Sequence, residues 1–460
     1  MEKNMKKYVS TLLLAAFSLS AIADDFDTSK PFGFCTVSSR TDASSTYNVT
    51  GGGCYTYPVP GDFTGTVVVL KAEKNADGTP KDMKSKINTA IQNNKVIIFD
   101  GSEGDFIISS TIGLPSSRGT GKTLLGINNA RLCTKWYVTP EIKEALDKVN
   151  VKSKSSSSGT GGTLSNGESV DEEREFVTRQ TIIDQTGDKS ESCRKAGIFS
   201  FSSCTNVIIR NINFVGPGAV DVGGADLISF TGSKHCWVDH CQFTDGTDGN
   251  FDITNASDFN TVSWCTFSYT DRSYDHRNTN LIGSSDKETV GTLNTTFAFN
   301  WWGTDCNQRM PMARAGKIHM LNNYYTCVGN SVSINPRKNS EFLVEGNYFA
   351  TGVKNIYSQS GAVAVTWADN NYAASASKPS SFGTTVTVPY SYTVADVNTV
   401  PTEVSTKAGN TLYKDASGIE SVSAAVNTPK TTVCYNLRGQ RVSEDYKGIV
   451  IKNGKKYIQK

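Results

Sequence analysis

From about residue 95 onward the chain runs in short apolar stretches broken by Gly, Asn and Ser turns, and from residue 205 to 350 these stretches recur at an interval of 23–24 residues, with irregular gaps that leave room for longer loops. Three triplets show the interval best: Asn300-Trp301-Trp302, Asn323-Tyr324-Tyr325 and Asn347-Tyr348-Phe349, spaced by 23 and 24 residues. Earlier copies end at Phe214, Phe243 and Phe267, and the second of those gaps is again 24. A period in the twenties built on β-formers predicts a solenoid, in which each unit buries its apolar face only by stacking on its neighbours. Regular coils are expected from about 197 to 352. Lys95–Phe99 reads as a strand followed by an Asp100-Gly101 turn, and Lys122–Ile127 as another strand. Residues 81–94 include a helix-like stretch, and Thr384–Val388 in the looser 353–411 region reads as a strand. Long charged amphipathic helices are scarce, so the fold class is all-β. Coils of this kind bring residues distant in sequence onto one outer face, which makes Asp248–Asp252 and Arg309–Arg314 neighbours.

The two ends differ from this middle. Lys3, Lys6 and Lys7, an apolar run from Val9 to Leu19 and the small-x-small site Ala21-Ile22-Ala23 make residues 1–23 an export signal. The mature chain from Asp24 has no other span of ~18 apolar residues, so it is expected to be soluble, with no membrane insertion. Residues 139–180 interrupt the coils around Lys154-Ser155-Ser156-Ser157-Ser158-Gly159, as a disordered segment or a lid. The β-helix domain is expected over 24–411, a small polar linker over 412–431 and a β tail over 432–460. The formal net charge is +2. That leaves no bulk basic field for nucleic acid or membrane, so any attraction to a polyanion must come from a local patch. Among eleven cysteines there is no CxxC pair, which argues against zinc. The odd count leaves one thiol free; Cys35 and Cys54 are placed to pair across a short loop, and Cys236, Cys241 and Cys265 fall on repeat strands.

Two segments carry candidate chemistry. Asp245-Gly246-Thr247-Asp248-Gly249-Asn250-Phe251-Asp252 is a Gly-rich acidic turn in an exported chain, which reads as a Ca²⁺ site, because calcium takes several oxygen ligands from flexible loops. The plainer reading is a turn, where Asp and Gly are favoured anyway. Asp226, one coil earlier, favours metal because it stacks beside Asp252. The second segment, Gln308-Arg309-Met310-Pro311-Met312-Ala313-Arg314, places a proline between two arginines, whose forks suit carboxylates. Arg337 one coil later extends these into a basic lane beside the acids. His240 and His319 read as structural, since no Ser or Cys nucleophile context surrounds them. The G-x-S-x-G and P-loop patterns are missing. The aromatic triplets read as a core ladder rather than a sugar platform.

Five motifs in order then bring in a family. Trp237-Val238-Asp239-His240, Asp248-Gly249 with Phe251-Asp252-Ile253, Leu281-Ile282-Gly283-Ser284-Ser285-Asp286, Arg309-Met310-Pro311 with Arg314, and Glu345-Gly346-Asn347-Tyr348-Phe349 closely resemble the pectate lyases of the first polysaccharide-lyase family. The resemblance implies a right-handed parallel β-helix that cleaves polygalacturonate by calcium-assisted β-elimination. It places Asp226, Asp248 and Asp252 at calcium-ligand positions, Arg309 at the residue that takes the C5 proton, and Arg314 and Arg337 at substrate-binding positions. The chain departs from the pattern twice. Asn278, with Arg277 beside it, stands where the family has a substrate-binding lysine; either Arg277 or Asn278 then faces the cleft. Gly224 stands where an acid is often found, so the calcium shell is thinner or borrows Asp221. The run Tyr435-Asn436-Leu437-Arg438-Gly439-Gln440-Arg441-Val442 resembles the terminal sorting modules of exported Bacteroidetes proteins, which would imply an outer-membrane secretion machine as partner; the rival is a small stabilising β tail. Two rival functions stand beside the lyase: a pectin lyase acting on methyl-esterified polymer without calcium, and a non-catalytic polysaccharide-binding β-helix. A monomer is expected, since solenoids of this kind need no partner.

Overall fold

The computed structural model describes residues 29–141, 143–144, 180, 183–185, 187, 189, 196–219, 225–273, 276–416, 434–436, 441–442, 447–452 and 455–459. The expected signal at 1–23, most of the 139–180 interruption, most of the linker, and Gly224 and Asp221 lie outside the described residues.

The described residues between 29 and 415 form a parallel β-helix of three sheets, with ten, seven and nine strands among them. Each coil lays one short strand in each sheet, and every strand pairs in parallel with its counterparts in neighbouring coils. The regular coils begin earlier than the repeat suggests: the ten-stranded sheet starts at Val67–Lys71, runs through Val96–Asp100 and Lys122–Ile127, and ends at Ala364–Trp367. Thr384–Val388 is not a strand. Val386 instead donates its backbone N–H to Thr366 Oγ1, so this stretch lies against the last coil through side chains rather than through a ladder.

The period of the sequence becomes a column inside the helix. Phe214, Phe243, Phe267, Trp302, Tyr325 and Phe349 stack ring on ring at successive centroid distances of 5.2, 5.1, 5.5, 4.8 and 4.4 Å. These spacings follow from the ≈ 4.8 Å between neighbouring strands. The asparagines of the triplets form a second column at the corner between the ten- and nine-stranded sheets. Asn300 Nδ2 donates to Asn323 Oδ1 (3.1 Å), Asn323 Nδ2 to Asn347 Oδ1 (2.9 Å) and Asn347 Nδ2 to Asn371 Oδ1 (3.0 Å). Buried amides are tolerated here because each finds its partner in the next coil. The residue preceding each corner is left-handed: His240, Trp264, Phe299, Asn322 and Gly346 have φ of 49, 51, 55, 50 and 64°. At Gly346 a Cβ would fall 2.3 Å from Asn322 Nδ2, so this corner requires glycine. Cys241 and Cys265 occupy the same corner positions in earlier coils, and Cys236 directly precedes the strand Trp237–Asp239. All three cysteines are therefore buried beside the strands rather than on them.

Cys35 and Cys54 are not paired. Both are buried free thiols, and their Sγ atoms donate to Phe32 O and Thr56 O. The N-terminal segment lies along the ten-stranded sheet, where Cys35 and Val49 pack on Ile208 and Trp237. The helix Lys84–Asn93 buries Ile87, Ala90 and Ile91 in the main core. A second helix, Val400–Lys407, packs Val400 and Val404 on Trp264, Phe299 and Leu321.

His319 lies under the C-terminal segment, with Nε2 2.9 Å from Glu345 Oε1 and Nδ1 2.8 Å from Tyr390 Oη. Burial lowers its pKa below the ordinary 6.5, and the hydrogen bond to Glu345 only partly opposes this. The unfolded chain therefore binds this proton before the folded one does. Stability from this site is present above pH 6.5 and is lost as pH falls through the depressed folded value. We expect urea unfolding to show stability falling between about pH 7 and 5, with a shallower fall in His319→Gln. An identical slope in the variant would remove His319 as its source.

The residues from 416 onward form a separate compact unit. Its strands Cys434–Asn436, Arg441–Val442, Gly448–Lys452 and Lys455–Gln459 make one antiparallel sheet.

Candidate active site

The site stands on the outer face of the seven-stranded sheet. In its register Ile253, Ile282, Ala313 and Pro336 are aligned and buried. Alternation then turns Asp252, Leu281, Met312 and Asn335 outward, and Arg314 and Arg337 outward on the other side of the inward row. The acids and arginines are not in adjacent rungs. The rung of Leu281–Ile282 lies between them: Asn280 N donates to Arg309 O (2.7 Å) and its carbonyl accepts from Met312 N (3.1 Å) on one side, while Asn280 Nδ2 donates to Phe251 O (3.1 Å) on the other.

The acidic turn sorts its three aspartates by what they touch. Asp245 is structural: its carboxylate accepts from Thr270 N (2.7 Å), Thr270 Oγ1 (2.6 Å) and Ser273 Oγ (2.8 Å), which ties the turn to the next loop. Asp252 is 7% exposed, and its Oδ1 accepts from Leu281 N at 2.9 Å. Burial pushes its pKa up to about 7. Asp226, from the preceding coil, has a buried Oδ1 with no hydrogen-bond partner among the described residues. Burial, then the charges of Asp252 and Asp248, raise Asp226 well above the ordinary carboxylate range. Gly249 keeps the space between these two groups open: a Cβ there would fall 2.8 Å from Asp226 Oδ1 and 3.0 Å from Asp252 Oδ1. Two desolvated carboxylates facing one small gap are unfavourable until a proton or a cation enters.

Asp248 is exposed, and its Oδ1 lies 3.0 Å from His276 Nε2. That hydrogen bond holds its carboxyl below the usual value. Among the described residues no three acidic, histidine or cysteine side chains converge as a finished ligand set. The donors are nevertheless suited to a hard cation: Asp226 brings an unsatisfied buried oxygen, Asp252 a second oxygen across the same gap, and Asp248 stands close enough for its charge to act on both.

Arg309 is half-buried with φ of 60°, and Met310 and Pro311 beside it are buried and anchor the bend. Its charge acts to lower the pKa of Asp226, Asp248 and Asp252 against their burial, so all three lie within its electrostatic reach. Among the described residues its guanidinium makes no hydrogen bond and no ion pair, which leaves the fork available. Arg314 is partly engaged: Nε pairs with Asp286 Oδ1 (2.9 Å) and Nη1 donates to Gly283 O (2.8 Å). Among the described residues, the Arg337 guanidinium has one side-chain contact, Met312 Sδ at 4.0 Å.

The departure from the family's lysine resolves in an unexpected direction. Arg277 turns to Asp305, with Nη1 2.9 Å from Oδ1. Asn278 is 2% exposed, its carbonyl accepts from Tyr269 Oη, and its amide lies 2.7 Å from His276 Nε2. His276 is the side chain that reaches the acids, and sequence reasoning missed it. The available signal was its spacing: His276 and Asn278 are two apart in an extended segment and so share a face. His240 is structural as expected, with Nδ1 2.7 Å from Asp239 Oδ2 in a buried cluster with Arg210 and Ser263.

Among the described residues, acids thus stand opposite an arginine with no side-chain hydrogen bond on one outer face of a parallel β-helix. The profile of the pectate lyase family matches residues 144–413, and the chain belongs to that family. It is 35% identical over 218 residues to the probable pectate lyase A of Neosartorya fischeri, covering 45% of this chain and 64% of that protein. It is 36% identical over 217 residues to pectate lyase A of Aspergillus niger, covering 45% and 63%. Against the pectate trisaccharide-lyase of Thermotoga maritima the identity is 41% over 130 residues, covering 26% and 34%. The chain thus spans less than two thirds of the length of these curated relatives. No helix among the described residues is long and apolar enough to cross a membrane.

Proposed function

We propose that the chain is an exported, calcium-dependent pectate lyase that cleaves polygalacturonate by β-elimination. The observation that carries this reading is the orphaned Asp226 oxygen sharing a gap with Asp252 while Arg309 stands opposite without a partner. Asp226 and Asp252 would hold the cation, with Asp248 as the third donor. Bound calcium would neutralise a substrate carboxylate and so make the adjacent C5 proton more acidic. Arg309 takes that proton; the C5–H electrons form the C4–C5 double bond, the bond from C4 to the glycosidic oxygen breaks, and that oxygen leaves with the bonding pair and takes a proton from solvent, to which Arg309 returns the one it accepted. No water is consumed, so the reaction needs no activated nucleophile. Arginine is a poor base because it holds its proton tightly. The three acids stabilise its charge, so their neutralisation is what frees it to act. Arg337 and the remaining donors of Arg314 orient uronate carboxylates along the lane. The family resemblance of the tail and leader supports export and handling by an outer-membrane secretion machine, and the β-helix acts as a monomer.

Asn278 in place of a lysine favours a tolerance for partly methyl-esterified polymer, since one cationic subsite contact is missing. The test is absorbance of unsaturated product from polygalacturonate and from methylated pectin, each with calcium and with chelator. Calcium-dependent product from polygalacturonate is expected. Product only from methylated pectin, unaffected by chelator, would favour a pectin lyase. No product from either would leave a polysaccharide-binding β-helix.

A further inference from the structure

We propose that His276 is a positioning residue that holds Asp248 in the orientation from which it binds the cation. This rests on the calcium reading above. Asp248 is the exposed member of the acid set, on a Gly-flanked turn, and the least constrained by packing. Among the described residues its one close side-chain partner is His276, at 3.0 Å between Nε2 and Oδ1. A carboxylate only accepts, so the ring must carry its proton on Nε2 and donate it. The Asn278 amide lies 2.7 Å from the same nitrogen, and with its oxygen turned to the ring it shares that single N–H with Asp248 in a three-centre hydrogen bond. Asn278 is itself fixed: it is nearly fully buried, its carbonyl accepts from Tyr269, and its backbone bridges to Gln308 in the next coil.

The chain of contacts therefore runs from the buried wall of the helix through Asn278 and His276 to Asp248. It secures one carboxylate oxygen and leaves Oδ2 for the cation. Outer partners of this kind orient ligating groups, and their loss typically weakens metal binding 10–100-fold. It also accounts for the place where the family's lysine is missing. At that position this chain supplies a buried amide that supports a neutral donor, rather than a second cation competing with calcium.

The test is calcium titration of the full chain by calorimetry, with wild type, His276→Ala, His276→Gln, Asp248→Asn and the His276→Ala/Asp248→Asn double variant. Gln retains an amide N–H near the position of Nε2. We expect His276→Ala to raise the calcium Kd about 10–100-fold and His276→Gln to recover most of that loss. In the double variant the His276 change should add nothing to the loss from Asp248→Asn, because its effect passes through that carboxylate. Unfolding curves in chelator separate a folding defect from a binding defect. An unchanged Kd in His276→Ala, no recovery with Gln, or full additivity in the double variant would each overturn the proposal. If wild type binds no calcium at all, it is the calcium reading that fails, which is a different result from wild type binding and the variants binding equally.

Discussion

Arg309→Lys is expected to lose about 10²–10⁴-fold in kcat on polygalacturonate, the range spanned by removing a positioned acid–base group. The charge is retained, so a purely electrostatic role would be largely preserved. What disappears is the planar fork, with its fixed geometry at the reacting carbon. Arg309 has no hydrogen bond or ion pair to lose among the described residues, and Lys meets the same left-handed backbone at φ of 60°. Stability should therefore be nearly unchanged, as should binding of the polymer through Arg314 and Arg337. The measurement is kcat and KM from initial rates of unsaturated product, with thermal unfolding as control. A variant within a few-fold of wild-type kcat would remove Arg309 from proton transfer and make it one more substrate clamp.

Asp252→Asn should act in opposite directions on the two states of the site. Without calcium the wild-type protein holds Asp226 and Asp252 buried across one gap, and both resist ionisation. Asn removes one of those charges while its side-chain oxygen still accepts from Leu281 N. The variant is therefore expected to be at least as stable as wild type in chelator. With calcium the order reverses. A ligand at 100 times its Kd stabilises the folded state by about 2.7 kcal/mol, and the variant should lose most of that increment. Its calcium requirement for half activity should rise more than ~10-fold, in line with loss of a coordinating charge. Thermal unfolding of both proteins across a calcium series decides this. If calcium leaves the wild-type transition unmoved, the acids are turn residues and the calcium reading is lost.

The parts of the molecule legible in the sequence are those governed by local alternation and repetition. The column from Phe214 to Phe349 and the asparagine column from Asn300 to Asn371 follow from the repeat, which is regular at 23–24 residues where no longer loop intervenes, because a parallel solenoid stacks equivalent positions at strand separation. The strand expected at Thr384–Val388 failed for the same reason in reverse. Its composition suits a strand, but it lies past the last regular coil, where no strand edge in register accepts it.

The site was legible in its residue types and only partly in its arrangement. The motifs named the acids and the arginines. They set Asp226 apart from Asp245 only as positions in a pattern; that the Asp245 carboxylate is saturated by Thr270 and Ser273 while an Asp226 oxygen has no partner among the described residues came from the fold. They also left open which of Arg277 and Asn278 would meet the substrate. The fold turned Arg277 to Asp305 and buried Asn278 behind His276.

The sequence by itself determined the coil, its core columns and the kind of chemistry on one face, because period and residue type are properties of the chain. The tertiary structure decided which carboxylates share a gap, which arginine keeps a free fork and which histidine reaches the acids. Those outcomes depend on desolvation and on side-chain direction across rungs some 25–85 residues apart in sequence, and neither exists until the coils are stacked.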